Sequence, residues 1–221
     1  MTDKETMKAA VLHKIKDIRI ENIKKPEMKK NEVMIRIRAN GICGSDVHFY
    51  EKGELGPFKV EEPYVPGHES SGEIIKVGEN VKNFTGGDKV VIEPGIPCRK
   101  CEHCKTGRYN LCPEVTFLSA PPVNGTLSEY VTIPADFVFK IPEAMSYFEG
   151  ALVEPTVVGV HSCNRGKITA GMSVAVLGVG PIGLLALQSA RAFGATEVIA
   201  VDIIQERLEI AQKLGATSII N

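Results

Sequence analysis

The chain has 221 residues, of which 43% are hydrophobic and 24% charged, a composition that suits one large globular domain or two small ones. Its 26 Lys and Arg residues nearly balance 27 Asp and Glu residues, which excludes a broad basic surface for nucleic acid or an anionic membrane and favours a small-molecule partner. The charged start, Met1–Thr6, lacks the apolar segment of a secretory signal, and no run of eighteen apolar residues follows, so we expect a cytoplasmic protein.

The first two thirds of the sequence contains short β-rich segments separated by Gly, Pro, Asn or Asp. The segment Val33–Ala39 alternates apolar and basic residues, so one of its faces is expected to be buried. The pattern predicts a partly open β-barrel or two packed sheets. Five strands are predicted, over residues 8–13, 33–39, 73–77, 89–93 and 129–133.

Two glycine-bounded segments in this region carry side chains that bind metals. Gly41–His48 contains Cys43, and Gly67 is followed by His68 and Glu69. A thiolate, an imidazole and a carboxylate are good ligands for a zinc ion that keeps an open position. Cys43 or His68 alone is more often a core residue. Their shared placement after glycine turns at strand ends favours the metal interpretation.

Four cysteines then lie within fifteen residues, with the spacing C-x2-C-x2-C-x7-C. They are Cys98, Cys101, Cys104 and Cys112. Four thiolates at this spacing can surround one Zn²⁺ ion at about 2.3 Å and leave no position for water, so this zinc would be structural. The alternative is a pair of disulfides, which a reducing cytosol disfavours.

The pattern changes near residue 150. Residues 147–164 have a helical pattern, and Glu154 adds a carboxylate where two domains would meet. Strands over 173–177, 196–202 and 218–221 then alternate with helices over 181–193 and 205–214, the pattern of a parallel α/β sheet. The first of these strands is apolar throughout and is expected to be buried on both faces. Since a doubly wound fold has about six strands, we expect only its first half here.

A dinucleotide fingerprint directly follows the strand over 173–177 and opens a helix. It comprises Gly178, Gly180, Ile182 and Gly183. The three glycines allow a tight turn, a close approach of pyrophosphate, and close packing of helix on strand. Asp202 ends the next strand, where its carboxylate would bind a ribose and favour NAD over NADP. Arg207 would stack on adenine or, less readily, bind a 2′-phosphate; alone it could equally be a solvated helix charge.

Together these motifs resemble the zinc-dependent medium-chain alcohol dehydrogenases, and most of all their sorbitol (L-iditol) dehydrogenase branch. The resemblance also rests on Gly107–Leu111, Ile92–Gly95 and Glu149–Pro155, and it covers the chain from about residue 7. It implies a GroES-like catalytic domain over residues 1–150, with a structural zinc lobe at about 95–113. Residues 151–221 would form the N-terminal half of an NAD-binding Rossmann domain.

The resemblance also assigns roles. Cys43, His68 and Glu69 match the ligands of a catalytic zinc, and Glu154 matches the glutamate that holds the zinc-bound water in the polyol branch. Glu69 and Glu154 remain alternatives for direct contact with the metal. Ser45 and His48 match a proton relay. Asp46 matches a carboxylate that orients the ligand histidine. The implied reaction is the oxidation of a polyol to a ketone, with two zinc ions per subunit and NAD as the hydride acceptor.

Three alternatives to this reaction stay open. Phe49 stands where animal sorbitol dehydrogenases have a tyrosine, and the cysteine lobe is complete, so butanediol and threonine dehydrogenases of the same family are also candidates. A catalytically inactive zinc-binding fragment is the third. The family further implies a homo-oligomer, a tetramer for full-length members.

Overall fold

The computed structural model describes residues 5–221, so most of the charged start considered above lies outside the described residues. The chain divides into two compact units, residues 1–152 and 153–221. Among residues 5–221, no helix has the length and apolar character needed to cross a bilayer.

The first unit is rich in short β-strands. Its helices are α1 (Gly44–Lys52), α2 (Glu102–Lys105) and α3 (Tyr147–Ala151). Its strands are β1 (Thr6–Lys14), β2 (Asp17–Lys24), β3 (Glu32–Asn40), β4 (Glu54–Leu55), β5 (Phe58–Lys59), β6 (Ser70–Val77), β7 (Lys89–Ile92), β8 (Gly95–Ile96), β9 (Thr116–Phe117), β10 (Tyr130–Pro134) and β11 (Val138–Lys140).

An antiparallel sheet of five strands, in the order β10-β3-β6-β7-β11, forms the centre of this unit. Its buried side chains include Val33, Ile35, Ile74 and Ile133, none of which is exposed to solvent. Two-stranded sheets β1-β2, β4-β5 and β8-β9 accompany it, and the part of the chain from residue 5 onward contains no closed barrel. All five predicted strands are present, and the β-rich architecture expected from the sequence is confirmed.

The prediction missed several elements of this unit, among them β2 and α1. Strand β2 has isoleucines at alternating positions, but Ile20 is 72% exposed, so the strand lacks the buried face on which strand prediction depends. Helix α1 is nine residues long and little of it is buried. It matters for function because Cys43 is its N-cap residue.

The second unit is a parallel α/β layer. Its strands β12 (Ser173–Leu177), β13 (Glu197–Val201) and β14 (Ser218–Ile220) pair in that order. The helices are α4 (Val153–Arg165), α5 (Pro181–Ala192) and α6 (Gln205–Lys213), and Leu187, Val198 and Leu208 are fully buried in the core. The predicted first half of a Rossmann sheet is confirmed.

The expectation that the first strand of this sheet is buried on both faces is wrong. Strand β12 lies at the edge of the three-stranded sheet, and its alternate residues are exposed. Leu177 is 80% exposed, whereas Val174 and Val176 pack against the core. Among the described residues, helices therefore cover one face of β12 and leave the other face open.

Candidate functional site

The four-cysteine segment brings its sulfur atoms together as a metal site requires. The four Sγ atoms all lie within 4.8 Å of one another. The Cys101 and Cys104 sulfurs are 3.4 Å apart, and those of Cys98 and Cys104 are 3.9 Å apart. Tetrahedral coordination at about 2.3 Å per Zn–S bond places sulfurs about 3.8 Å apart. All four cysteines are free thiols, so the arrangement fits one zinc ion and not two disulfides.

The local backbone of this lobe favours the thiolate form of Cys98. Cys101 caps the short helix α2, and the Cys98 N–H donates to the Cys112 sulfur at 3.3 Å. The backbone N–H of Lys100 is the main cause that lowers the pKa of the Cys98 thiol to about 7. Burial, in contrast, raises the pKa of the Cys104 thiol, and a bound cation would favour its thiolate form because metals bind cysteine as the thiolate.

A second cluster lies in the same unit, where α1 begins and just before β6. The ligand atoms of Cys43, His68 and Glu69 are within 4.8 Å of one another. His68 is buried, and its Nδ1 atom has no hydrogen-bond partner. A buried polar nitrogen without a partner is costly, and a bound cation nearby would account for this cluster of ligands. The residues present therefore fit a metal ion with three protein ligands and one open position.

Burial opposes charge on the acidic members of this cluster. It raises the pKa of the Cys43 thiol, although hydrogen bonds from Ser45 act in the opposite direction. Burial also raises the pKa of Glu69, which the neighbouring His68 partly offsets. A divalent cation would reverse this balance, because it favours the ionised forms of both ligands.

Asp46 supports the two segments that carry these ligands. Its Oδ2 atom accepts from the Cys43 N–H at 3.0 Å, and its Oδ1 atom accepts from the Gly67 N–H at 3.0 Å. Gly67 has φ +94°, and a Cβ there would overlap Leu127, so this position requires glycine. The separation between Asp46 Oδ1 and His68 Nδ1 is 3.8 Å, too long for a hydrogen bond. The orienting role of Asp46 toward His68 therefore stays a prediction, whereas its hydrogen bonds to the backbone on either side of the site are direct.

Three further predicted residues lie in different surroundings. Ser45 is half-buried beside the Cys43 thiol, and His48 is exposed one turn later on α1. Glu154 lies in the first turn of α4, in the second unit. Its part in the site remains a prediction.

The glycine turn of the second unit has the geometry of a phosphate-binding loop. Gly178 has φ +87°, and a Cβ on Gly183 would overlap the Gly178 carbonyl oxygen. Helix α5 begins with Pro181 after the N-cap residue Gly180, so backbone N–H groups at its start are available to an anion. Ile182 is 43% exposed beside this turn.

Asp202 is fixed by the same turn. Its Oδ2 atom accepts from the Val179 N–H at 2.8 Å and its Oδ1 atom from the Ile204 N–H at 3.0 Å. The first of these hydrogen bonds is the main cause that lowers the pKa of Asp202. The Arg207 guanidinium lies 3.8 Å from Oδ2 with its side chain 47% exposed, so this ion pair is partly open to solvent.

Two residues near the cluster of Cys43, His68 and Glu69 had not been predicted to belong to the site. The Ser119 hydroxyl donates to Asp46 Oδ1 at 2.7 Å, and the Phe117 ring packs edge-on against His68 with centroids 5.5 Å apart. Both follow the cysteine lobe, about 50 residues after His68 in the sequence. No local pattern connects them with the site, since the contact exists only in the folded chain.

Comparisons with known proteins agree with this geometry. Residues 29–143 match the Alcohol dehydrogenase GroES-like domain, and residues 181–221 match the family described as Zinc-binding dehydrogenase. Sorbitol dehydrogenase of Bacillus subtilis is 49% identical over 217 residues, which are 98% of this chain and 62% of that protein. Probable D-xylulose reductase A of Aspergillus terreus is 50% identical over 95% of this chain and 60% of its own length.

The solved structures include a relative with a different substrate in its name. The crystal structure of 2R,3R-butanediol dehydrogenase from Bacillus subtilis superposes with a TM-score of 0.87 at 41% identity. The alignment covers 97% of this chain and 62% of that one. The chain thus spans about three fifths of the length of the relatives it matches.

Proposed function

Because this chain belongs to the zinc-dependent medium-chain alcohol dehydrogenase family, we propose that the complete protein oxidises a secondary alcohol of a polyol with NAD. The observation that carries the proposal is the cluster of Cys43, His68 and Glu69. Its three ligand groups leave one coordination position for a substrate, whereas the four-cysteine lobe has none. The polyol class is supported by the sorbitol dehydrogenase and xylulose reductase relatives.

In this proposal each bound group has one task. Zinc supplies Lewis acidity at the alcohol oxygen, and NAD supplies the hydride acceptor, when both are bound. Cys43 and His68 hold the ion, with either Glu69 or Glu154 as the carboxylate. The four thiolates of the lobe hold a second, structural zinc.

The remaining residues of α1 would move the proton and hold the site. Ser45 is placed beside Cys43, and its hydroxyl would take the alcohol proton. His48 lies three residues further along the same helix face and is exposed, so it would pass the proton to solvent. This order, from a half-buried hydroxyl to an exposed imidazole, suits a proton that must leave a closed site.

The second unit would bind the coenzyme. The N-terminus of α5, together with Gly178, Gly180 and Gly183, would hold the pyrophosphate. Asp202 would accept hydrogen bonds from the adenosine ribose, and its negative charge disfavours a 2′-phosphate. We propose the domain limits accordingly, with a catalytic domain over residues 1–150 and the first part of the NAD-binding domain over residues 151–221.

Membership of this family also suggests an oligomeric state, a cellular location and a substrate class. We propose a homo-oligomer acting in the cytoplasm on a small polyol. The alternative substrate class is a vicinal diol such as butanediol, which the 41% identical structure supports. Threonine is a further candidate in the same assay.

The decisive experiment measures metal content and turnover on the complete protein. We expect two zinc ions per chain, of which Cys43→Ala removes one and leaves NAD affinity unchanged. Reduction of NAD⁺ should be fastest with sorbitol or xylitol in a panel that also contains L-iditol, 2,3-butanediol and threonine. Fastest turnover of butanediol would assign the alternative substrate class.

Two outcomes would contradict the proposal. A content of only one zinc ion per chain would contradict a zinc site at Cys43. Two zinc ions with bound NAD, but no turnover of any of these alcohols, would support the alternative of an inactive zinc-binding protein.

A further inference from the structure

Ser119 occupies an unusual position next to the Cys43–His68–Glu69 site. Its side chain is buried, with only 3% of the residue exposed, and its backbone has φ +71°. Left-handed backbone at a residue other than glycine is uncommon and is retained where the surrounding structure fixes it. The backbone therefore fixes the direction of the Cα–Cβ bond of Ser119, and two hydrogen bonds fix its hydroxyl.

That hydroxyl lies between two groups that support the site. It accepts from the Gly67 N–H at 2.8 Å and donates to Asp46 Oδ1 at 2.7 Å. Since the Gly67 N–H also donates to Asp46 Oδ1, these three residues form a closed triangle of hydrogen bonds. One corner of the triangle precedes the ligand His68, and Asp46 holds the N–H of the ligand Cys43 through its other oxygen.

Ser119 also connects the site with a third segment of the chain. It follows β9, whose Phe117 lies against the His68 ring, and β9 pairs with β8 just before the first cysteine of the lobe. The β8-β9 strand pair flanks the cysteine lobe in sequence. It therefore places both the Phe117 ring and the Ser119 hydroxyl near His68. Cys43, His68 and Ser119 otherwise belong to segments far apart in sequence.

We propose that Ser119 is a positioning residue for the metal site, which fixes the relative placement of Cys43 and His68 through Asp46 and Gly67. The inference rests on the proposed function, because it requires a metal at Cys43 and His68. It assigns Ser119 no contact with substrate, coenzyme or metal. Groups that are hydrogen-bonded directly to a metal ligand typically change metal affinity by about 10- to 100-fold when they are removed, and for Ser119, one step further out, we expect the lower end of this range.

Two substitutions separate the hydroxyl from the backbone. Ser119→Gly removes the hydroxyl and tolerates the positive φ, whereas Ser119→Ala removes the hydroxyl and keeps the strained backbone. Ser128→Ala is the matched control, since that half-buried hydroxyl donates only to the Tyr130 carbonyl. Each protein is loaded with Co²⁺, whose visible absorption distinguishes a four-sulfur site from a mixed sulfur, nitrogen and oxygen site.

The expected result is the same loss in both Ser119 variants. Affinity for Co²⁺ at the mixed site should fall about tenfold or more, and its absorption bands should shift, while the four-sulfur site is unchanged. The Ser128→Ala protein should match the parent at both sites. Unfolding by denaturant is recorded in parallel, because a loss of stability without a change in the cobalt spectrum would indicate a structural role only and overturn the inference.

Other outcomes are equally decisive. A loss of affinity in Ser119→Ala but not in Ser119→Gly would assign the effect to the backbone and overturn the role of the hydroxyl. Two bound ions in the parent with unchanged affinity in both variants would overturn this inference alone. A parent that binds one ion, at the four sulfurs, would contradict the proposed function and this inference with it.

Discussion

Replacing Asp46 by Asn tests whether this carboxylate holds the metal-binding segments together. Three donors converge on it: the backbone N–H groups of Cys43 and Gly67, and the hydroxyl of Ser119. An asparagine side chain has one oxygen to accept and an amide group that only donates. In one orientation of the amide the Cys43 N–H faces another N–H and loses its partner. In the other orientation the Gly67 N–H does so and keeps only its hydrogen bond to Ser119.

The magnitude follows from this count. A hydrogen bond to a charged group contributes about 1.5–3 kcal/mol, and a buried donor left without a partner costs a similar amount. The remaining hydrogen bonds also weaken, because their acceptor is no longer charged. We therefore expect Asp46→Asn to lower the free energy of unfolding by about 3 kcal/mol. For a protein of this size, that corresponds to a decrease in Tm of roughly 6–12 °C.

The measurement is denaturant unfolding of the metal-free protein, followed by zinc titration. The control is Asp136→Asn, which weakens an exposed ion pair with Arg99 at 2.8 Å and should change stability by less than about 0.5 kcal/mol. Zinc affinity at the Cys43 site should fall in Asp46→Asn and remain unchanged in the control. A loss of stability equal to that of the control would show that the three donors do not depend on the Asp46 charge.

Three other changes give independent tests. Gly183→Ala should weaken NAD binding about tenfold, because a Cβ at this position overlaps the Gly178 carbonyl oxygen. The control Gly86→Ala should leave NAD binding unchanged, because the atom nearest to its Cβ would be 3.9 Å away. Equal NAD affinities of the two variants by calorimetry would contradict this prediction. The Val179 N–H lowers the pKa of Asp202 in the folded state, so ionised Asp202 should stabilise the fold fully above about pH 3.9, its pKa in the unfolded chain. This stabilisation should disappear as the pH falls through the lower pKa of the folded state. A titration midpoint of Asp202 above 4 by NMR would refute this prediction. Cys112→Ser should release one of two zinc ions and make the lobe susceptible to protease, and an unchanged zinc content would argue against the four-sulfur site.

The sequence carried the chemistry of this protein in short patterns. The spacing of Cys98 to Cys112 and the glycines from Gly178 to Gly183 each lie within about fifteen residues, where a loop or a turn brings them together locally. The five predicted strands of the first unit and the βαβα order of the second were likewise evident from hydrophobic periodicity. These features depend on neighbours along the chain, so the order of the residues is enough to predict them.

Tertiary packing determined which of these residues contact one another and which are exposed. Asp46 meets Ser119 across 73 positions of the sequence, and Asp202 accepts from Val179 across 23. The exposed face of β12 depends equally on what packs against the strand, and not on its apolar residues. Hydrogen bonds between distant segments require that the whole fold first fixes both partners, and no local pattern encodes their distance. The sequence therefore determined which ligands and glycines this protein possesses, whereas only the folded chain determined which buried groups hold them in place.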